Sequence, residues 1–264
     1  MPPPLDPQLV ETIKALIAGL EAAAVPFCLI GALVPELLLR TPPTRRTNDA
    51  DAVVLVQTLE EFERVKLSLE ADQFKFKRTS RPFRMERGAG KIDVLPYSQT
   101  LAPDHKLRIP PNAPYNMLGF DRVFGSQTSS KVSEDLTVPL VTIPLYALLK
   151  LVAYSDRLLA RDPAGVLHCL IYYEEDSERL YGIEDQGRLI EFDVASAYLL
   201  GLDSRPLLDD LLAEAIKPTI AKLTDSDSSL AFGVAREYRG GMSNEGFREQ
   251  VGRLFKAYAQ GLRI

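Results

Sequence analysis

The chain has 264 residues, of which 46% are hydrophobic and 25% are charged, with 31 Lys and Arg against 36 Asp and Glu. This composition excludes a disordered chain, a collagen-like chain and a disulfide scaffold. Cys28 and Cys169 lie in apolar runs and are expected to be buried free thiols in a reducing cytosol. No uncharged stretch reaches the roughly 20 residues that a membrane span needs, and the N-terminus lacks the features of a secretory signal. We therefore expect a cytoplasmic protein.

The first half of the chain alternates helical and strand patterns. Apolar residues recur at helical spacing in the first segment. The unbroken apolar run over 53–56 is typical of a buried strand, and Gly88-Ala89-Gly90 predicts a hairpin turn. The patterns predict helices over 8–24, 33–39 and 59–69 and strands over 27–30, 50–56, 74–77, 83–86 and 91–95. These elements predict a small mixed α/β sheet.

The second half of the chain is predominantly helical. Residues 101–133 are rich in Pro, Asn, Gly and Ser and predict loops or short edge strands. From residue 143 onward helical patterns replace strand patterns, with helices predicted over 144–159, 165–173, 189–200, 206–223 and 244–262. The predicted fold class is therefore α+β, with a sheet domain over 1–138 and a helical C-terminal domain over 139–264.

Three aspartates are the candidates for chemistry. Asp49 and Asp51 stand at the start of the second predicted strand, and because side chains alternate along a strand, both point to the same face. Two carboxylates this close repel each other unless a cation lies between them, and Mg²⁺ takes one or two carboxylates together with phosphate oxygens. Asp93 lies within a later strand, where an ionised carboxylate is costly unless it is paired or bound to metal. If the two strands are neighbours, the three carboxylates converge into a two-metal clamp for phosphoryl transfer.

Each of these features also has a purely structural explanation. A bare Asp-x-Asp is common at turns and at solvated strand edges. Asp93 could instead be an ion-pair partner of Lys91 or Arg84, and Gly31 could simply be a strand-to-helix turn. Only the order and context of the features make the combination specific.

The combined motifs resemble a known superfamily. Ile30-Gly31-Ala32, Asp49-Ala50-Asp51 and Ile92-Asp93-Val94 resemble the nucleotidyltransferases that share the DNA polymerase β-like palm. The longer string Arg45-Arg46-Thr47-Asn48-Asp49-Ala50-Asp51 more narrowly resembles the AbiEii-type branch, which includes abortive-infection and toxin–antitoxin nucleotidyltransferases. Its downstream helix motif is matched by Lys150-Leu151-Val152-Ala153, Arg157 and Arg161-Asp162.

The resemblance implies a role for each matching residue. Asp49, Asp51 and Asp93 would be the catalytic, metal-binding carboxylates, with Asp93 holding a second metal or acting as base. Ala32 stands where the family has Gly or Ser, so that a hydroxyl contact to phosphate is missing. Residues expected to bind the nucleotide are Gly31, Ala32, Arg45, Thr47, Lys150 and Arg157.

Two further positions are candidates with open alternatives. Lys150, Arg157 and Arg161 lie at i, i+7 and i+11 of one predicted helix and so share a face. That face would neutralise triphosphate if it met the sheet, and would be an ordinary solvated side if it met water. Asp162 precedes Pro163, which is a helix N-cap signal, although the resemblance leaves a direct catalytic role open.

Basic residues are concentrated in one segment, which we call the basic ribbon. Residues 75–91 hold seven Lys and Arg against one acid. The ribbon could follow an RNA backbone, bind only triphosphate, or be a solvated edge that discourages strand pairing. Its members before Lys91 are Lys75, Lys77, Arg78, Arg81, Arg84 and Arg87.

The motifs together predict a Mg²⁺- or Mn²⁺-dependent enzyme that moves an NMP group from an NTP to a hydroxyl acceptor. The resemblance implies that the acceptor is an RNA or tRNA end or a protein, and that the chain is the toxin partner of an antitoxin. One alternative is a degenerate transferase fold that only binds RNA or a protein. Another is an aminoglycoside-type transferase, which the acidic runs 174–176 and 209–210 keep open.

Overall fold

A computed structural model describes residues 5–43, 47–175, 177–242 and 244–264. Within this part of the chain, residues 5–37 and 47–142 form one compact unit, and residues 38–43 and 143–264 form a second. The first unit is a sheet with helices and the second is helical, which confirms the predicted α+β class. Across these residues no helix combines the length and the apolar character needed to cross a membrane.

The sheet unit contains three helices and nine strands within the described residues. Its order follows the predicted alternation of helices and strands, and Pro35 falls in the first turn of α2, where proline is tolerated. The elements are α1 (Pro7–Ala22), β1 (Phe27–Ile30), α2 (Leu33–Leu38), β2 (Asp49–Leu55), α3 (Leu59–Glu70), β3 (Lys77–Arg78), β4 (Arg84–Arg87), β5 (Gly90–Tyr97), β6 (Lys106–Leu107), β7 (Tyr115–Asn116), β8 (Gln127–Ser133) and β9 (Leu136–Val141), with a 3₁₀ helix over Phe120–Gly125.

Seven of these strands form one mixed sheet in the order β3-β4-β5-β2-β1-β9-β8. β2 runs parallel to β5 and antiparallel to β1. This pairing confirms that the two aspartate-bearing strands are neighbours. β6 and β7 form a separate two-stranded sheet.

The two faces of the central strands have different environments. Ala50 and Ala52 of β2 and Ile92 and Val94 of β5 are fully buried. A Cβ at Gly90, which shares the face of Ile92, would meet the Thr12 side chain of α1, so α1 covers this face. The opposite face carries the intervening residues of both strands, which are less buried at Asp49, Asp51 and Asp93. The sheet therefore has one closed face and one face that leaves polar groups accessible.

The helical unit consists mainly of six helices within the described residues. A Cβ at Gly201 would lie 2.3 Å from the Tyr258 carbonyl oxygen, so the absence of side chains at Gly201 and Gly261 allows two of these helices to pack backbone to backbone. The elements are α4 (Ile143–Arg157), α5 (Arg161–Tyr172), β10 (Glu184–Asp185), β11 (Arg188–Leu189), α6 (Phe192–Ser204), α7 (Asp210–Thr224), α8 (Ser229–Tyr238) and α9 (Glu245–Leu262), with 3₁₀ turns over Glu178–Leu180 and Arg205–Leu207.

Residues 38–43 precede β2 in the chain but belong to the helical unit. The buried His168 donates from Nε2 to the Thr41 carbonyl oxygen at 2.8 Å, and the Thr41 hydroxyl donates to Glu175 at 2.8 Å. Because Nε2 carries the proton, Nδ1 of the neutral ring accepts from the Tyr238 hydroxyl at 3.1 Å. Burial lowers the pKa of His168, which favours this neutral form.

The sequence did not predict β9 or α8, and two predicted elements differ in their bounds in ways that affect residues of interest. The predicted strand over 74–77 is reduced to β3, because Lys75 adopts a φ of +61°, a left-handed conformation that a strand does not accommodate. The helix predicted over 144–159 ends at Arg157, because Leu158 has a φ of +52° and breaks the helical backbone. The second difference changes the position of Arg161.

Candidate functional site

The three predicted carboxylates lie together on the accessible face of the sheet. Asp51 and Asp93 are register partners across the parallel pair β2 and β5, and Asp49 precedes Asp51 by two residues on the same face. The side chains of Asp49 and Asp93 are 36% and 28% exposed. The alternation of β2 thus places alanines in the core and aspartates at the open face, as the sequence predicts.

Gly31 borders Asp51 at the end of β1. Its φ is +78°, and a Cβ there would lie 2.0 Å from Oδ2 of Asp51. Ile30 is the register partner of Asp51, so the turn at Gly31 directly follows the aspartate row. Glycine is therefore required both for the backbone conformation and for the space that the Asp51 carboxylate occupies. Ala32 follows Gly31 before α2 begins at Leu33.

Thr47 shapes the entry to the aspartate strand. Its backbone N–H donates to Oε2 of Glu36 at 3.4 Å, and its hydroxyl accepts from the backbone N–H of Asp49 at 3.2 Å. Glu36 is 5% exposed and belongs to α2. These contacts give Thr47 a structural role in holding Asp49, and its predicted nucleotide contact stays a prediction. Arg45 lies outside the described residues.

Arg84 is the cation at the centre of the aspartate site. Its Nε and Nη2 donate to Oδ1 and Oδ2 of Asp93 at 2.9 and 2.6 Å, and Nη2 lies 3.4 Å from Oδ2 of Asp49. Hydrogen bonds to Asp93, together with the charges of Asp49 and Asp51, raise the pKa of Arg84 further above its ordinary value. The guanidinium is therefore always protonated. The sequence alternative in which Asp93 pairs with Arg84 is thus realised alongside the convergence of the carboxylates.

Register explains why Arg84 reaches this position. β4 pairs antiparallel with β5 through the predicted Gly88-Ala89 turn, and Arg84 is the register partner of Asp93. Arg84, Asp93 and Asp51 therefore form one row across three strands. The sequence predicted Arg84 both as a member of the basic ribbon and as an alternative ion-pair partner of Asp93. The short turn at Gly88-Ala89 is the signal that places the two residues opposite each other.

The residue types of the site fit a divalent cation, but their arrangement is adapted to a guanidinium. Mg²⁺ and Mn²⁺ prefer carboxylate oxygens, and three carboxylates converge here. Both oxygens of Asp93, however, accept hydrogen bonds from Arg84. Among the residues that the structure describes, no group of three or more His, Cys, Asp or Glu side chains is arranged to hold a metal ion.

The downstream motif forms a buried ion cluster in the helical unit. Asp162 is fully buried and accepts from Nε and Nη2 of Arg157 at 2.7 and 2.6 Å and from Nζ of Lys150 at 3.2 Å. Burial acts to raise the pKa of Asp162, but the hydrogen bonds and charges of Arg157 and Lys150 outweigh it and leave the pKa below its ordinary value. Lys150 and Arg157 therefore hold Asp162, and their nucleotide-binding role stays a prediction.

Two expectations about this motif were wrong. Arg161 does not share a helix face with Lys150 and Arg157, because α4 ends at Arg157 and α5 begins at Arg161. Asp162 is not the N-cap of α5, a position that Ala160 holds without a side-chain hydrogen bond. Asp162 is instead in the first turn, and its carboxylate is turned to the two cations rather than to the helix backbone.

The residues of the basic ribbon differ in whether their side chains contact other parts of the sheet unit. Arg78 forms ion pairs with Glu63 and Glu70 of α3, and Arg87 donates to the Phe74 carbonyl oxygen at 3.0 Å. With Arg84 bound at the aspartates, half of the six predicted partner residues have intramolecular roles. The remaining three, Lys75, Lys77 and Arg81, are exposed, as is the ion-paired Arg78.

Replacing Gly31 with Ala is expected to lower activity strongly and folding stability only moderately. The new Cβ must displace the Asp51 carboxylate, and the left-handed backbone adds about 1–2 kcal/mol of strain. Gly88→Ala is the matched control, since Gly88 has a φ of +60° but a Cβ there would meet only Gln8, at 3.9 Å. Thermal unfolding should show a somewhat larger loss for Gly31→Ala, because only its Cβ clashes, whereas the transfer activity that the motifs predict should fall for Gly31→Ala alone. Equal activity of the two variants would show that Gly31 does not contribute to the site.

Comparisons of the sequence with protein-family models and with curated proteins give no match. The solved structures that are similar to this chain include the following three. The antibiotic-resistance factor ANT(2'')-Ia, solved in solution, shares 15% identity at a TM-score of 0.41, covering 82% of this chain and 95% of its own. An antigenic nucleotidyltransferase-like protein from Paracoccidioides brasiliensis shares 16% identity at 0.43, covering 81% and 95%. The CdnE cyclic dinucleotide synthase of Elizabethkingia meningoseptica shares 12% identity at 0.29, covering 94% and 89%. The second of these bears the name of the superfamily that the motifs resemble, and none bears that of the AbiEii-type branch.

Proposed function

We propose that this protein is a metal-dependent nucleotidyltransferase that transfers an NMP group from an NTP to a hydroxyl acceptor. One observation carries the proposal: Asp51 and Asp93 are register partners on the open sheet face, with Asp49 two residues away and Gly31 bordering Asp51. Three accessible carboxylates on adjacent strands are unfavourable unless a cation is present. Arg84 offsets part of this repulsion, and the convergence of the carboxylates at a glycine turn supports a site that handles cations and phosphates.

Each residue has a physical task in this proposal. Asp49, Asp51 and Asp93 would hold Mg²⁺ or Mn²⁺, which when bound would neutralise charge on the NTP phosphates. Gly31 removes a side chain where the backbone would approach the triphosphate. Phosphoryl transfer depends mainly on positioning and charge neutralisation, so a rigid sheet bearing carboxylates supplies most of what is needed.

The proposed acceptor is an RNA or tRNA end. Lys75, Lys77 and Arg81 are exposed on the sheet unit that carries the aspartates, and exposed cations favour the backbone of a nucleic acid. A protein acceptor and an aminoglycoside acceptor are the outcomes from which the assay must distinguish RNA.

Transfer of label from each α-labelled NTP tests the proposal directly. The purified protein is incubated with Mg²⁺ and total bacterial RNA, with and without EDTA, beside Asp49→Ala/Asp51→Ala. Asp72→Ala/Asp227→Ala is the charge-matched control, since both residues are exposed and outside the site. Label should enter RNA only with metal and only in the wild type and the control. Label on the protein, or on an added aminoglycoside, would redefine the acceptor.

A negative result is also informative. Absence of both transfer and metal-dependent NTP binding would contradict the enzyme proposal. RNA binding that is independent of metal and falls steeply with salt would then indicate a binding module.

The AbiEii-type resemblance adds a proposed toxin role, with an antitoxin as partner. Induced expression of the wild type is expected to arrest bacterial growth, whereas Asp49→Ala/Asp51→Ala at equal protein level should not. Equal growth of both strains, with transfer intact in vitro, would contradict the toxin role and leave the transferase proposal standing.

A further inference from the structure

The position of Arg84 has a consequence for how the aspartate site takes up metal. Its guanidinium forms a two-bond fork with Asp93, with donor–acceptor distances of 2.9 and 2.6 Å, and the same Nη2 lies 3.4 Å from Asp49. The Arg84 side chain is 20% exposed, so most of it is held within the unit. The contact is built by the strand register and is not a chance meeting of two surface side chains.

The Arg84 guanidinium supplies a positive charge next to the three carboxylates. A fork-shaped hydrogen bond to a carboxylate is stronger and more directional than a bond to a lysine ammonium. It offsets the repulsion between carboxylates that adjoin across β2 and β5. A divalent cation at the same carboxylates would meet a positive charge already in place, and each oxygen of Asp93 already accepts a hydrogen bond from Arg84.

We propose that Arg84 is the resident cation of this site and that it excludes divalent metal while no nucleotide is bound. This inference rests on the proposed function, because it concerns how the transferase site is kept free of metal until the nucleotide binds. Triphosphate oxygens accept the same fork geometry as a carboxylate, so an incoming NTP offers Arg84 a new partner and frees Asp93. Metal and nucleotide would then enter together.

Metal binding by the full-length, nucleotide-free protein tests the proposal without any activity measurement. Mn²⁺ is titrated and free Mn²⁺ is read by electron paramagnetic resonance. Arg84→Gln should bind Mn²⁺ at least about tenfold more tightly than the wild type, since one competing charge-assisted pair is removed. Arg84→Gln/Asp93→Asn should lose that gain, which would place the ion at the carboxylates.

Two further variants keep the result interpretable. Arg64→Gln removes the same charge from an exposed residue of the same unit and should bind Mn²⁺ as the wild type does. Arg84→Lys keeps the charge without the fork, is the more conservative change for folding, and should fall between the wild type and Arg84→Gln. Circular dichroism confirms that each variant is folded.

The proposal is overturned if Arg84→Gln, or Arg84→Lys should the first not fold, binds Mn²⁺ no more tightly than the wild type. If the wild type nevertheless transfers label, this inference alone has failed. If Arg84→Gln binds Mn²⁺ more tightly while no protein transfers label, the exclusion stands and the proposed function has failed.

Discussion

Replacing Asp51 with Asn is expected to lower the rate of nucleotidyl transfer by about a thousandfold or more without loss of folding stability. The substitution removes one carboxylate from the proposed metal site, and electrostatic groups of this kind contribute on the order of 10³ in rate. It also removes one of two like charges that face each other across β2 and β5. Arg84 loses the attraction of the same charge, so the two effects offset each other and the free energy of unfolding should be nearly unchanged.

Two comparisons make the Asp51 result specific. Asp72→Asn makes the same chemical change at an exposed position and should retain full activity. Asp93→Asn should lose activity and also about 1 kcal/mol of stability, because it breaks the fork with Arg84. Transfer assays and urea unfolding measure the two quantities. An Asp51→Asn variant within about tenfold of the wild-type rate would rule out a metal-binding role for Asp51.

Replacing Arg157 with Met is expected to destabilise the helical unit by about 2 kcal/mol. Removing one partner of a buried ion pair costs about 3–5 kcal/mol because the other charge stays buried. The lower figure applies here because the Arg157 side chain is 46% exposed and Lys150 remains as a partner of Asp162. Urea unfolding followed by circular dichroism measures the change.

Arg161→Met is the matched control for Arg157→Met. Arg161 is exposed, at the start of α5, so the same substitution should change stability by less than about 0.5 kcal/mol. Adding Asp162→Asn to Arg157→Met should recover part of the loss, because the unpaired buried charge is removed. Equal effects of Arg157→Met and Arg161→Met would contradict the importance of the buried cluster.

The pH dependence of this loss has a definite sign. The pKa of Asp162 in the folded wild type lies below its ordinary value of 3.8, so its contribution to stability is complete above that pH and is lost as the pH falls through the folded pKa. In Arg157→Met the pKa should rise, since burial remains and its main counter-charge is gone. Protonation then relieves the buried charge. The stability difference between wild type and variant should therefore shrink as the pH falls from about 7 to about 3.

Much of the aspartate site could be predicted from local sequence. Alternation along one strand puts Asp49 and Asp51 on the same face, and a Gly-containing turn between two short strands predicts the hairpin of β4 and β5. These are properties of neighbouring residues, and so they need no knowledge of the remote chain. Five of the six helices described in the second half follow in the same way from the spacing of their apolar residues, whereas α8 was not predicted.

The sequence by itself was enough to predict the fold class, the three carboxylates as candidates for chemistry and the glycine turn before α2. Each of these predictions depends on a pattern within a few residues. The tertiary structure decided which charges meet. The hairpin register places Arg84 opposite Asp93, but only the pairing of β2 with β5 brings Asp49 to the same guanidinium. A left-handed residue at Leu158 separates Arg161 from Lys150 and Arg157. Asp162 looks like a helix cap in the sequence but is a buried counter-ion, because its carboxylate accepts hydrogen bonds from Arg157 and Lys150. Such pairings depend on packing between segments, where burial and charge outweigh local propensity.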